Sequence, residues 1–519
     1  MRKLLLLIPA LAAFAQTTAP RPRPASRPKL VVMIVVDQFR QDYFYRFGSE
    51  YTGGLAQLMK QGAFFTDAHY EHFPTVTAIG HSTVMSGATP SVSGIVGNEW
   101  YDRDLGRQVT SVFDPSVKAL GASGEASSPH RLLVSTIADE LKMSGRAPSK
   151  AIGISIKDRS AILPVGRMAD GAYWFDNKTG NMVSSTYYFP DLPAWVQDFN
   201  KSRAADQWTG KPWLPFASKN AEPFLTMATP AGAPYWGNMQ RSPFGNDLLE
   251  LFAEKAVEAE KLGQGPGTDV LSVSFSSNDY VGHENGPDSP QVHDISVRTD
   301  RTLARLFQFL DAKVGLRNTI VAFTADHGVA PNPELMQSRK MPAGRISETL
   351  PAEKIEAAFK ARYGDGPWVL GRSGPSPYLN HGLIRARHLS LGALQAEAAA
   401  IVREIPHIAR VYTAGDLARG AVSGDRIDAR LRNGYHRQRG ADLFPVTEPF
   451  WTWGRDKATH GSPHHYDSHV PLVLMGPAVK PGRYHRRAAV NDIAPTVAVI
   501  VEVEAPSGSV GRVLEEALR

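Results

Sequence analysis

Cysteine is absent from this chain of 519 residues. Its absence excludes a disulfide framework, thiolate metal ligands and a cysteine nucleophile. A membrane-length apolar run is also missing near the amino terminus, because Leu4 to Leu11 falls short of the roughly 20 residues a helix needs to cross a bilayer. Charge of one sign is scarce as well. The formal net charge is +6, and Arg2, Lys3, Arg21, Arg23 and Arg27 concentrate much of it in an amino-terminal arm. The remaining body is close to neutral, which leaves no electrostatic case for dedicated nucleic-acid binding. No internal repeat is visible, and the one low-complexity stretch is TTAPRPRPASRP, residues 17–28.

What is present begins with an export signature. Met1 to Ala15 joins a basic start (Arg2, Lys3) to an apolar segment and the small-x-small ending Ala13-Phe14-Ala15. The expectation is a signal peptide over 1–15, an extended Pro-rich linker over 16–28 and a folded unit over 29–519. No Cys follows the signal to carry a lipid, so a periplasmic or secreted protein without a stable membrane anchor is expected. Hydrophobic residues at 42% and charged residues at 21% suit a globular protein. The length fits two domains or one large α/β core with insertions.

Lys29 to Val36 (KLVVMIVV) is apolar without alternation, the pattern of a strand buried on both faces of a parallel sheet. Ala151–Ile156, Thr268–Phe275, Asn318–Thr324 and Val470–Gly476 read the same way. Polar chemistry sits at the ends of these runs, where open α/β sheets place their ligand-binding groups. Asp37 follows the first strand and Lys157 and Arg159 the second. Asp279 and His283 follow the third, Asp326 and His327 the fourth, and His460 precedes the fifth. Each also has an ordinary reading, since an isolated Asp is often a helix cap and a K-x-R pair is often a solvated surface pair. On an extended segment Lys157 and Arg159 would point to one side as a fork for oxyanions. Asp279 and His283 are four residues apart and share one face of a helical turn, and a helix over Asp294–Leu310 is expected next.

Residues 163–267 carry Trp174, Trp195, Trp208, Trp213 and Trp236 with weak periodicity, and are expected as an insertion lying over the site. A second insertion, 329–455, reads as mixed α/β with an Ala-rich helix from Leu391 to Val402.

The stretch PTVTAIGH, Pro74 to His81, reads as a loop entering a helix. A hydroxyl there meets a positive partial field and free N–H groups, which suits a phosphate, although Thr77 could equally be a plain N-cap. Asn98, in GIVGNEWY, is a turn residue or an amide donor to an oxyanion. Together the strand-end groups are carboxylates, imidazoles and a hydroxyl, the donor set of Zn²⁺ or a similar ion in a hydrolase, with enough ligands for two ions.

In VVDQ, PTxTAIGH, GxxGNxWY, KDR, DYxGH, TADHG and HG…YDSHVPL the chain resembles the alkaline phosphatase superfamily, and most closely its exported monomeric phosphatase branch with a Lys-x-Arg pair. The resemblance covers 29 to about 159, 268–328 and 459–476. It implies an α/β alkaline-phosphatase-like three-layer core with a central, mostly parallel sheet and inserted cap regions, the catalytic domain filling 29–519. It further implies two Zn²⁺ ions, one held by Asp279, His283 and His460, the other by Asp37, Asp326 and His327 with the Thr77 oxygen. Thr77 would be the nucleophile, forming a phosphothreonine, while Asn98, Lys157 and Arg159 grip the phosphate oxygens. Thr75 competes with Thr77, and His464, His465 and His469 compete with His460; the family spacing and the T-H-G context select Thr77 and His460. His81 is expected to support the site without binding metal. Mn²⁺ or Co²⁺ would also suit these ligands, and a separate Ca²⁺ or Mg²⁺ is compatible.

The implied activity is zinc-dependent hydrolysis of small phosphate monoesters, because two cations reward a dianion. The alternatives are a phosphodiesterase or nucleotide pyrophosphatase, a mixed enzyme, or a silent phosphate- or nucleotide-binding protein. Sulfatase chemistry is disfavoured, since those relatives need a modified Cys or Ser in a C/S-x-P-x-R context.

Overall fold

The computed structural model describes residues 27–216, 221–229, 231–420 and 424–519. The expected signal peptide and most of the linker lie outside the described residues. The organising element is a ten-stranded sheet. From edge to edge it runs Gly482–Tyr484, Ala63–Phe65, Leu472–Met475, Thr319–Thr324, Leu30–Val36, Asp269–Phe275, Ala151–Ser155, Gly171–Asp176, Asn181–Ser185 and Ala119–Leu120. The five strands from Thr319–Thr324 through Gly171–Asp176 are mutually parallel. The outer strands Leu472–Met475 and Asn181–Ser185 join them antiparallel.

Every residue of Leu30–Val36, Asp269–Phe275 and Thr319–Thr324 is buried. Such strands need cover on both faces, which explains their unbroken apolar sequences. Helices Gly54–Gln61, Pro243–Glu260 and Pro290–Lys313 pack together as one cover, and Thr77–Ser86, Ile137–Met143 and Ile493–Val501 as the other. The sheet register sets the site. Val36 pairs with Phe275, Val35 with Thr324, and Ser274 with Ser155, so the central strands end level with one another. The groups just beyond those ends therefore meet in one place.

The two inserted regions behave differently. The aromatic stretch 163–267, expected to lie over the site, instead extends the body of the protein. Gly171–Asp176 and Asn181–Ser185 are strands of the main sheet, and Trp208, Trp213 and Trp236 are buried in its core. The strand Gly171–Asp176 (GAYWFD) lies outside the central strands and has half-buried positions, so its sequence lacks the continuous aliphatic signal. The region 329–455 builds its own small core from Ile355, Phe359, Trp368, Leu394, Val402 and Leu443. Helices Leu350–Tyr363 and Leu391–Arg403 pack there with two antiparallel strand pairs, Val369–Ser373 with Ser376–Leu379 and Ile408–Thr413 with Leu443–Thr447. This second insertion supplies a wall of the site.

Candidate active site

Thr77 is the first residue of the helix Thr77–Ser86. The N-cap is Val76, so the Thr77 hydroxyl does not serve helix capping. Thr77 is 1% exposed, and its Oγ1 lies 3.4 Å from His327 Nε2. The competing hydroxyl is already committed, because Thr75 Oγ1 donates to the Ser462 carbonyl at 2.9 Å. Gly80 allows this helix to sit where it does. A Cβ at that position would lie 2.1 Å from the Asp326 carbonyl oxygen. His81 reaches from the next turn, donating Nδ1–H to the Thr77 carbonyl at 2.8 Å and bonding Ser274 through Nε2, also at 2.8 Å. Its Nδ1 is also 3.4 Å from Asp326, a supporting position as expected.

Three carboxylates and three imidazoles converge beside Thr77. Asp279 and His283 lie on the helix Ser277–Asn285, with Asp279 Oδ1 3.2 Å from His283 Nε2 and 3.8 Å from His460 Nε2. His327 Nε2 is 3.3 Å from Asp326 Oδ2 and 3.5 Å from Asp37 Oδ1. The rings of His327 and His460 stack at 3.4 Å. Two groups of donor atoms are close enough to share an ion, Asp279/His283/His460 and Asp37/Asp279/His327. The second grouping draws on Asp279, while Asp326 adjoins it through His327.

The outer hydrogen bonds fix the imidazoles. His283 Nδ1–H donates to the Ala458 carbonyl at 2.9 Å, His327 Nδ1–H to Gly328 at 2.9 Å and His460 Nδ1–H to Thr75 at 2.8 Å. Each Nε2 is thereby turned towards the carboxylates, the orientation that a metal ligand requires. Asp37 Oδ1 and Asp326 Oδ2 are buried with no hydrogen-bond partner. Uncompensated buried carboxylate oxygens are costly, and a divalent cation answers that cost. The donor set thus fits a metal centre on its own geometry.

The electrostatics carry the same mark. Burial, together with the Asp37 charge, holds the Asp326 carboxyl well above the usual carboxylate range. Burial also works against an ionised Asp279, but Lys157 and His283 outweigh it and hold that carboxyl well below its usual range. Burial drops His327 to about 3. For His283 burial is outweighed by Asp279, which lifts the ring to about 10.

Gln38 was not singled out by its sequence, yet it links the two halves of the centre. Its side-chain amide donates to Asp279 Oδ1 at 2.6 Å and its backbone N–H to Asp326 Oδ1 at 3.1 Å. The glycine of DYVGH makes room for it, since a Cβ on Gly282 would sit 1.8 Å from Gln38 Oε1. The hint in the sequence is that Gln38 closes the VVDQ motif, directly after Asp37.

The Lys-x-Arg pair does not form a fork. The chain turns into the helix Asp158–Ile162 at Lys157, its N-cap, so the two side chains diverge. Lys157 Nζ lies 2.6 Å from both Asp37 Oδ2 and Asp279 Oδ2. Burial opposes its charge, but these two carboxylates raise its pKa. Arg159 instead lines a cavity of about 440 Å³ with Asn98, His283 and His460. Asn98 Oδ1 accepts from the Ala78 N–H at 2.8 Å, which spends its oxygen on the helix start. Phe73, Val76 and Trp453 form apolar parts of the cavity, and Glu348, Arg372 and Ser373 bring the second insertion to its rim. Among the described residues none of the lining comes from 163–267. His464 is bonded to the Thr447 carbonyl, and His465 and His469 gather with His69 away from the centre.

A parallel sheet with carboxylates, imidazoles and a buried hydroxyl at its strand ends defines a protein of the metal-dependent phosphoryl-transfer class. The chain belongs to the type I phosphodiesterase / nucleotide pyrophosphatase family, whose model matches residues 31–468, within the alkaline phosphatase superfamily. It is 34% identical to alkaline phosphatase PafA of Elizabethkingia meningoseptica, covering 99% of this chain and 98% of that one. A Myroides odoratus protein named a calcium-transporting ATPase is 35% identical, with 99% of this chain and 98% of that one covered. The crystal structure of wild-type alkaline phosphatase PafA superposes with a TM-score of 0.88 at 33% identity, over 96% of this chain and all of that one. A PafA variant with a threonine, an asparagine, a lysine and an arginine replaced superposes at 0.89 and 32% identity, with the same coverage. Among the described residues no helix is long and apolar enough to cross a membrane.

Proposed function

We propose that this protein is a zinc-dependent phosphate monoester hydrolase, an alkaline phosphatase, that works through a phosphothreonine on Thr77. The carrying observation is the Thr77 hydroxyl, free of any capping role and 3.4 Å from His327 Nε2, beside the orphaned oxygens of Asp37 and Asp326. Asp279, His283 and His460 would hold one Zn²⁺, and Asp37, Asp326 and His327 the other, with Asp279 near both. When bound, such ions make a hydroxyl nucleophilic near neutral pH and neutralise developing charge on the phosphoryl and leaving oxygens.

Thr77 Oγ1 attacks phosphorus in line. Oγ1 gives up its proton to solvent, the new P–Oγ1 bond forms as the P–O bond to the alcohol breaks, and the alcohol oxygen takes one proton back from solvent. Water then attacks the phosphothreonine, releases inorganic phosphate and returns the hydroxyl. Asn98, its oxygen anchored on Ala78, offers its amide N–H groups to a non-bridging oxygen. Arg159 meets the other oxygens from the cavity wall. Lys157 adds a buried positive charge between Asp37 and Asp279. A monoester dianion gains more from two cations than a diester does. The names of the PafA relatives support this reading, and so does the choice of residues replaced in the PafA variant. We place the protein outside the cytoplasm as a monomer acting on small phosphate esters.

The test is kcat/KM for an aryl phosphate monoester and its matching diester on zinc-loaded protein. The reading expects a large monoester preference. A diester preference would move the protein to phosphodiesterase chemistry, and no turnover of either would leave a binding protein.

A further inference from the structure

Five and nine residues beyond His460, His465 and His469 join His69 in a second group of imidazoles that the phosphoryl chemistry does not use. His465 and His469 stand one turn apart across the short helix His465–Ser468, and His69 lies on the strand Ala68–His69. One ligating nitrogen from each falls within 4.8 Å of the others. The backbone holds them in place, with Tyr70 N donating to Ser468 O at 2.9 Å and Val470 N to Ala68 O at 3.1 Å. The rings of His69 and His469 stack at 4.6 Å, and His465 meets them edge-on at 5.0 and 4.6 Å.

We propose that His69, His465 and His469 form a third cation site, for Zn²⁺ or a similar first-row ion, that braces the segment carrying His460. Three imidazoles without thiolate suit Zn²⁺, Ni²⁺ or Cu²⁺ and suit Ca²⁺ or Mg²⁺ poorly. The outer bonds repeat the logic of the active site. His69 Nε2–H donates to Asp67 Oδ1 at 2.7 Å and His469 Nε2–H to the Thr66 carbonyl at 3.0 Å. Each Nδ1 is left unprotonated, and carboxylate–imidazole pairing of this kind orients metal ligands. The Ser468 hydroxyl makes a long 3.3 Å contact to His69 Nδ1, which an ion would replace. Arg487 and Arg430 are the nearby cations, and each is answered by a carboxylate: Arg487 lies 3.7 Å from Asp67 and is bonded to Glu71, which Arg430 also approaches at 3.8 Å. His69 is buried while His465 is exposed, so an ion has an entry path and a position open to water.

The position of the site suggests a structural role. Asp467, between His465 and His469, accepts from Ser462 N and Oγ at 2.7 and 2.6 Å, and its carbonyl accepts from Gly328 N at 2.7 Å. An ion on the three histidines therefore ties the segment from His460 to His469 to the strand that leads into Thr77.

The test compares wild type with His465→Ala, chosen because that side chain is exposed. Both full-length proteins are dialysed against the same micromolar free Zn²⁺ and their zinc per chain is measured, with thermal midpoints taken at rising Zn²⁺. The expected result is one ion fewer in His465→Ala, and a zinc-dependent rise in midpoint that is larger in wild type. The same loss is expected in His469→Ala. Equal zinc content in wild type and both variants would overturn the proposal. Because only the difference is read, the outcome does not depend on how many ions the catalytic centre holds.

Discussion

Replacing Arg159 by Ala separates the proposed phosphate grip from the metal chemistry. The guanidinium is not saturated by protein partners. Its Nε is buried without a hydrogen bond, its nearest carboxylate is Asp158 at 4.0 Å, and its side chain is 26% exposed towards the cavity. It is therefore poised to bond a ligand, and its loss leaves no internal network broken. A hydrogen bond to a charged group contributes about 1.5–3 kcal/mol, and each ~1.4 kcal/mol is a factor of ten, so kcat/KM for a monoester should fall roughly 10- to 150-fold. A diester carries one charge fewer and should lose distinctly less. The assay is kcat/KM for the matched aryl monoester and diester on zinc-loaded wild type and variant, with zinc content measured alongside. Equal losses on both substrates, at unchanged zinc content, would refute the proposed role of Arg159.

Two further outcomes are expected. Gln38→Leu keeps most of the volume but removes the 2.6 Å bond to Asp279, so zinc affinity measured by competition with a chelator should weaken by about 10- to 100-fold; unchanged affinity would remove Gln38 from the centre. Glu250, 3% exposed between the helices Pro243–Glu260 and Pro290–Lys313, is pushed up to about 7 by burial despite Arg305 at 3.4 Å. Its folded pKa exceeds its unfolded one, so the native state prefers the protonated carboxyl and stability is lost as pH rises from 4.5 to 7. With about 1.4 kcal/mol per pH unit the loss is up to about 3 kcal/mol, and Glu250→Gln should flatten that part of the stability curve, as read by urea denaturation at several pH values. An unchanged curve would contradict the assignment.

The central strands and the groups at their ends were legible because both obey one constraint. A parallel strand buried on two faces has to be continuously apolar, so the first polar residue after it marks the strand end, as Asp37 does after Val36 and Asp326 does just beyond Thr324. Thr77, Asn98 and His460 were singled out by the resemblance to a known family, carried by PTVTAIGH, GIVGNEWY and THG, and not by periodicity. Three features were not legible. The divergence of Lys157 and Arg159 depends on a helix starting at Lys157, and a K-x-R triplet does not show whether its backbone is extended or helical. The place of 163–267 in the sheet leaves no aliphatic signature, because its strands lie towards one end, where aromatic and polar residues replace the aliphatic run. Gln38 and the His69 cluster arise from contacts between distant segments, which leave no local periodicity to read.

The most direct test of the central claim is the zinc content and monoester kcat/KM of Thr77→Ala. Thr77 is buried at the helix start with its hydroxyl outside the capping network, so the substitution should leave the fold and the imidazole and carboxylate ligands in place. The account predicts zinc content close to wild type and a fall in kcat/KM of at least about a thousandfold, as expected when a nucleophile is removed. Near-wild-type turnover with zinc bound would contradict it.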